Sequence, residues 1–262
     1  MFPTTTRPSS RPCKCCNHIA VLYDVCDFNK SCEEARGKIL PLCGIPIYYY
    51  KCSHCDFIFT GDFDAASDDE FKQYIYNDAY IDVDPDYESV RPQSNAKMIG
   101  DAFARQLSEL TILDYGGGNG TLAKLLSQAG AKQADCYDPF HGTHSARPQQ
   151  KYQLITAFEV AEHVPDPLAT FRDMAALLCE DEGALLFSTL VQPNNIDDMK
   201  ARWWYIGPRN GHISIHSFKS LSLCLANVGL SLTSHNQGIH MAYRKIPSFA
   251  KHLLRSSNQY PQ

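Results

Sequence analysis

Between residues 111 and 129 the chain reads as a buried strand, a glycine turn and a helix. The strand is Thr111-Ile112-Leu113-Asp114-Tyr115, the turn Gly116-Gly117-Gly118-Asn119-Gly120, and the helix spans 121–129. A strand apolar on both faces needs cover on both sides, and a helix that follows it directly supplies one side. This unit commits the chain to a layered α/β arrangement, and the alternation continues from residue 96 onward. Residues 96–110 read as a helix, 134–137 and 154–157 as strands, 167–178 as a helix opened by Pro167, and 184–189 as a further strand. Residues 220–228 read as the last helix, stopped by Gly229, and 230–234 with 239–244 as an antiparallel hairpin. The expectation is a mostly parallel, Rossmann-like α/β sheet with helices on both faces. No internal repeat is visible.

With 262 residues there is room for one such domain plus a small module, and not for two full enzyme domains. The formal net charge of −5, with no basic stripe, argues against a nucleic-acid partner. No apolar run has the length of a membrane span, and the opening MFPTTTRPSSRP lacks the apolar core of a signal peptide. These features predict a cytoplasmic protein with a small-molecule partner, no nucleic acid and no membrane. The Pro/Thr/Ser/Arg-rich residues 1–12 read as a disordered leader, 13–60 as a cysteine-rich module, and 61–95 as an acidic, tyrosine-rich connecting or lid segment. Residues 96–246 make the main domain and 247–262 a C-terminal tail.

Eight of the eleven cysteines fall between Cys13 and Cys55; the other three, Cys136, Cys179 and Cys224, lie in apolar strand or helix patterns and read as small core residues. Without a secretory signal, clustered cysteines favour a metal over disulfides. Cys13-x-x-Cys16 and Cys52-x-x-Cys55 form two knuckles of the kind that hold tetrahedral zinc in a structural role. Cys15 is an alternative within the first knuckle, and Cys26, Cys32, Cys43 and His54 are further donors.

The glycine turn departs from the dinucleotide pattern GxGxxG, because Thr121 stands where the third glycine belongs. Asp114, just before the glycines, would repel a pyrophosphate; a cationic ligand with an ammonium and a sulfonium suits an acidic loop better. Asp138, at the end of the second strand in Tyr137-Asp138-Pro139-Phe140, stands where a carboxylate accepts hydrogen bonds from ribose hydroxyls. With these residues in place, 112–120 resembles the first motif of class I S-adenosylmethionine-dependent methyltransferases. Residues 154–167, Leu-Ile-Thr-Ala-Phe-Glu-Val-Ala-Glu-His-Val-Pro-Asp-Pro, resemble the fourth-strand motif of small-molecule members such as the ubiquinone-biosynthesis O-methyltransferases. The resemblance implies S-adenosylmethionine as cofactor, with Gly116 and Gly118 on its methionine part, Asp138 at its ribose, Phe158 and Glu159 lining the methyl-transfer pocket, and Asp114, Gly120 and Pro139 as further cofactor contacts. His163 in the same motif has a structural and a functional reading. One departure stands out: only thirteen residues separate Asp138 from Tyr152, where the usual fold fits a helix and a third strand, so a loop is expected there.

Two knuckles, a tyrosine-rich segment and this core, in that order, also resemble the zinc-binding nucleotide-sugar C-methyltransferases. That resemblance implies a lid carrying Tyr80 and Arg91 toward the cofactor and Tyr76 toward the substrate. Methyl transfer usually needs a base for the acceptor's proton. The densest supply of suitable groups is Trp203-Trp204-Tyr205-Ile206-Gly207-Pro208-Arg209-Asn210-Gly211-His212-Ile213-Ser214-Ile215-His216-Ser217. His212 and His216, with Tyr205 in reserve, are the candidate bases; Arg209 and Asn210 are candidate substrate contacts. The expected function is a methyltransferase acting on a nucleotide-linked or polysaccharide-type sugar. The alternatives are an O-methyltransferase of an aromatic or polyketide-like metabolite and an inactive zinc- and cofactor-binding protein.

Overall fold

A computed structural model describes residues 8–254. In chain order its strands are β1 (Ser10–Pro12), β2 (Ile19–Asp27), β3 (Pro46–Cys52), β4 (Ile58–Thr60), β5 (Thr111–Tyr115), β6 (Gln133–Tyr137), β7 (Leu154–Phe158), β8 (Ala184–Ser188), β9 (Ser214–Ile215), β10 (Ser231–Ser234) and β11 (Ile239–Tyr243). Its α-helices are α1 (Asp68–Tyr74), α2 (Val90–Ala102), α3 (Thr121–Gln128), α4 (Pro167–Leu177), α5 (Ile196–Met199), α6 (Phe218–Asn227) and α7 (Lys251–Leu254). No helix among the described residues is long and apolar enough to cross a membrane.

The larger sheet has the order β10-β11-β8-β7-β5-β6. β6, β5, β7 and β8 run parallel, and β11 is antiparallel to both β8 and β10. From β5 the chain moves outward to β6 and then returns to the other side as β7. This reversal opens a crevice at the carboxyl ends of β5, β6 and β7, where open α/β sheets bind ligands. Residues 139–151 form no helix or strand, so β6 is the edge. The Tyr152 hydroxyl (2.7 Å) and Gln150 Nε2 (2.9 Å) both donate to Asp135 on that edge strand, so the loop covers it.

Local signals explain the helices around the crevice. α4 starts at Pro167 behind Asp166, whose carboxylate accepts from the Ala169 N–H at 2.9 Å. α6 starts in a reciprocal Ser217–Ser220 cap, and α1 in a Ser67–Glu70 capping box. α3 buries Leu122, Ala123 and Leu126 against the sheet. One face of the sheet carries Phe171, Met174, Leu185, Phe187, Leu221 and Leu225; the other carries Ile99, Phe103, Leu126, Met241 and Phe249.

The smaller sheet, β1-β2-β3-β4-β9, is antiparallel throughout. It departs from expectation in two ways. Residues 10–12 do not behave as a loose leader: they pair with β2, Arg11 opposite Ala20, while residues 1–7 lie outside those described. Pro12 is tolerated because β1 is an edge strand. Nor does the sheet stop at residue 60, because β9, from the chain after β8, joins it with Ile58 opposite Ile215. The cysteine-bearing end of this sheet, with Phe57 and Phe59, belongs to the same core as α4 and α6. The helix expected from residue 96 begins earlier, at Val90, and ends at Ala102. Of the expected tail, Phe249 and Ala250 are buried, and residues 255–262 lie outside those described.

Ile215 is fully buried at the junction of the two sheets. Ile215→Ala should lower unfolding stability by about 2–5 kcal/mol, read as a shift of the urea midpoint. An unchanged midpoint would mean that β9 contributes nothing to holding the module.

Candidate functional site

A cleft of about 590 Å³ opens at the carboxyl ends of β5, β6 and β7. This is within the span of small-ligand sites, roughly 300–1,000 Å³. Its floor comes from Asp114, Gly116 and Gly118 after β5, Asp138 and Pro139 after β6, and Phe158 and Glu159 after β7. Tyr76, Tyr80, Asp84, Tyr87 and Arg91 of the connecting segment cover it. The glycines have a steric reason to be there. A Cβ on Gly116, whose φ is +72°, would stand 2.6 Å from Val160 Cγ2.

Two carboxylates are built into the floor. Asp138 accepts the Gly118 N–H (2.9 Å) and the Phe140 N–H (2.8 Å), so it locks the glycine turn to the end of β6. Asp114 is buried and accepts the Thr156 hydroxyl at 2.8 Å. Burial, and then the nearby Asp138 charge, push its carboxyl up to about 7 despite that hydrogen bond. A cationic ligand would draw it back to the ionised form.

Glu159 ends β7 in the left-handed region, with φ +55°. Its own N–H donates to Ser188 Oγ (2.8 Å), which donates in turn to Glu159 Oε1 (2.7 Å). A non-glycine residue held in that conformation at a cleft is strain that its surroundings maintain.

The residues expected to supply the base lie elsewhere. Tyr205 is buried behind the cleft; its hydroxyl donates to Glu162 and accepts the Leu190 N–H at 3.0 Å. Burial, and then the Glu162 charge, hold it well above the usual phenol value, which rules against it as a proton acceptor. His212 is buried in the same layer and donates from Nδ1 to the Tyr205 carbonyl at 2.7 Å. His216 is further away, its ring 4.7 Å from Phe57 in the core shared with the module. None of the three lines the cleft.

Arg209 and Asn210 are braces. Arg209 donates to the Ile75 carbonyl (3.0 Å) and to Asn77 Oδ1 (3.1 Å), and Asn210 to the Val83 carbonyl (2.8 Å) while accepting the Cys32 N–H (2.8 Å). Together they hold the connecting segment over the cleft. Gly120 likewise does not line it, and turns the chain into α3.

The histidine that does reach the cleft wall is His163. Its ring stands edge-on to His212 at 4.7 Å, and its Nδ1 has no hydrogen-bond partner. Burial, and then the His212 ring and Arg91, push its pKa well below the usual imidazole value, so it is neutral. A Cβ at position 211 would come within 3.1 Å of that Nδ1, which is why the approach needs Gly211. Ligating atoms of Glu162, His163 and His212 all lie within 4.8 Å of one another. Glu162 is held well above the usual carboxylate range by burial and then by Glu159. Asp84, Tyr87 and Asn95 line the cleft too, and nothing in residue spacing singles them out.

The four knuckle cysteines converge at the far end of the smaller sheet. Cys13 and Cys55 sulfurs are 3.6 Å apart, and Cys16 is 3.5 Å from both Cys52 and Cys55. Zinc–sulfur bonds of 2.3 Å at tetrahedral angles put neighbouring sulfurs about 3.8 Å apart, so the donor set fits that ion. Backbone N–H groups of Cys15, His54 and Cys55 point at Cys13 and Cys52 sulfurs at 3.4 Å, as thiolates require.

A family profile described as a methyltransferase domain matches residues 87–235, more than half of the chain. The ubiquinone biosynthesis O-methyltransferase of Klebsiella pneumoniae (strain 342) is 31% identical over 93 residues, 36% of this chain and 38% of that enzyme. Its counterpart in Escherichia coli O139:H28 is 32% identical over the same share. The match thus spans well under half the length of these curated relatives. Among solved structures, an O-methyltransferase family protein from Burkholderia thailandensis aligns at TM-score 0.45 and 13% identity, covering 65% of this chain and 60% of that one. Magnesium protoporphyrin IX methyltransferase from Synechocystis PCC 6803 aligns at 0.41 and 17%, covering 70% and 97%.

Asp114 offers a test of the cleft's electrostatics. Its folded pKa near 7 lies above an unfolded aspartate value of about 3.9. In the ligand-free protein its contribution to stability is therefore full below about pH 4 and is lost as pH rises through about 7, a loss of roughly 4 kcal/mol. The stability difference between wild type and Asp114→Asn should shift by that order across the window, in favour of the variant at high pH. A pH-independent difference in denaturant midpoints would show that the carboxyl is not desolvated.

Proposed function

The chain belongs to the methyltransferase-domain family, and from that premise we propose that it transfers a methyl group from S-adenosylmethionine to a small molecule. The observation that carries this reading is the convergence of Asp114, the Gly116–Gly118 turn and Asp138 on one cleft at the reversal point of a parallel sheet. S-adenosylmethionine supplies an electrophilic methyl on a sulfonium. Asp138 would accept the ribose hydroxyls, and Asp114 and Glu159 would favour the ligand's positive charge. Tyr76, Tyr80 and Arg91, braced from behind by Arg209 and Asn210, would close over it and exclude water.

For the acceptor's proton we assign His163 in place of His212, His216 or Tyr205. It is neutral and its ring lines the cleft. The acceptor atom would take the methyl group as the sulfur–carbon bond breaks and leaves a neutral thioether, and its proton would pass to the His163 ring.

Cys13, Cys16, Cys52 and Cys55 would hold a structural zinc ion. This group and the tyrosine cover favour the nucleotide-linked sugar as substrate class. The cleft lining favours a second reading, an uncharged phenol-like acceptor methylated on oxygen. Its wall is aromatic, and Arg91 is committed to Asp84 through contacts of 2.6 and 3.1 Å, leaving no free Lys or Arg for a diphosphate among the described lining residues. Mass spectrometry of products from sugar nucleotides and from dihydroxybenzenes separates the two.

Asp138→Ala should weaken S-adenosylmethionine binding by about 1.5–3 kcal/mol, read by calorimetry; an unchanged affinity would remove Asp138 from the cofactor site. His163→Asn should keep cofactor affinity and lower turnover about 10²–10⁴-fold. Because the ring is already neutral, wild-type turnover should show no histidine step between about pH 6 and 8. A step there, or near-normal turnover in the variant, would exclude His163 as the base.

A further inference from the structure

We propose that Cys15, His216 and Cys224 form a second site for a thiophilic cation of the zinc class, separate from the four-cysteine group and buried beneath it. The three residues come from distant stretches: the turn of the first knuckle, the link between β9 and α6, and the middle of α6. Their ligating atoms all lie within 4.8 Å of one another, and their exposures are 1%, 0% and 0%. No cysteine is engaged in a disulfide.

The imidazole is oriented for a ligand. Ser220 Oγ donates to the Ser217 carbonyl (3.0 Å) and stands 3.1 Å from His216 Nδ1. With the hydroxyl hydrogen spent on that carbonyl, Nδ1 must be the donor, and Nε2 keeps its lone pair. Nε2 is buried and has no hydrogen-bond partner. An imidazole fixed by a hydrogen bond at one nitrogen, with the other left without a hydrogen-bond partner, is how metal-bound histidines are held.

The chemistry of the set selects the ion. Two thiolates and one imidazole are soft donors, suited to zinc or monovalent copper and not to magnesium or calcium. Two thiolate charges neutralise a divalent cation, so the loaded site would need no further counter-ion in a core lined by Phe57 and Phe171. Metal-free, the same core would hold an orphaned ring nitrogen where an apolar side chain would serve better.

The knuckle serves both sites. Cys13 and Cys16 face the first group, and Cys15, whose N–H donates to Cys13 Sγ at 3.4 Å, faces the second. His216 and Cys224 belong to the part of the chain matched as a methyltransferase domain, so the second ion would fasten the cysteine module to that domain directly. The inference shares with the proposed zinc only the Cys13–Cys16 turn.

The test is the zinc content of the full chain purified without chelators, measured by mass spectrometry against quantitative amino-acid analysis. Wild type should carry two ions per chain, and Cys224→Ala and His216→Gln one each. One ion in wild type overturns the second site and leaves the first; none overturns both. Two ions retained in both variants would show that these residues are not the ligands. Loss of both ions from both variants would show that the two sites are not separate. Recovery of a Cys15–Cys224 disulfide peptide from wild-type protein under acid quench would also overturn the proposal.

Discussion

After β8 the chain leaves the larger sheet, crosses the connecting segment and pairs with β4 as β9. That excursion is the constraint on which the rest depends. Ile213 and Ser214 N–H groups both donate to the Glu162 carbonyl at 2.9 Å, and Ser214 Oγ donates to the Val164 carbonyl at 2.7 Å. The excursion is thereby tied to the turn that carries His163 to the cleft wall. On its other side Arg209 and Asn210 hold residues 75–83 in place. The smaller sheet, the cover and the cleft wall are therefore fixed by one stretch, and a shift in it would disturb all three.

The same constraint explains what could be read in the sequence and what could not. The strand–glycine–helix unit, the alternation after it and the short span between Asp138 and Tyr152 are local, and they appear as read: a parallel sheet ending at β6 with a loop where a third strand would be. The cleft floor was legible for the same reason, since Asp114, Asp138 and Glu159 each stand at the end of a strand. The base was not. Tyr205, His212 and His216 are titratable groups close in sequence, but β9 turns this stretch inward, so its polar groups serve the junction between two sheets. Long-range pairing of two residues with β4 leaves no periodic signal.

Burial divides the polar groups near the cleft into two kinds. Behind the wall, Tyr205 and His212 are hydrogen-bonded and buried, and Glu162 accepts the Tyr205 hydroxyl at Oε1 while its buried Oε2 has no partner. In the floor of the cleft, Asp114 is desolvated yet lines the space that a ligand would enter. Desolvation without a partner is costly, and a protein keeps it where a ligand or a reaction supplies the missing interaction.

The polar atoms without partners follow that logic to the other end of the molecule. Those belonging to histidines, among the described residues, are His163 Nδ1 and His216 Nε2. The ring of the first lines the cleft, and the second residue is grouped with Cys15 and Cys224. They sit on either side of β9, one reached through its ties to Glu162 and Val164, the other directly following it in the chain. A two-residue strand thus helps to fix two buried imidazoles, one at the cleft wall and one grouped with two sulfurs. Short edge strands are poor at stabilising a fold by themselves; this one is retained in a buried position because both sheets close on it.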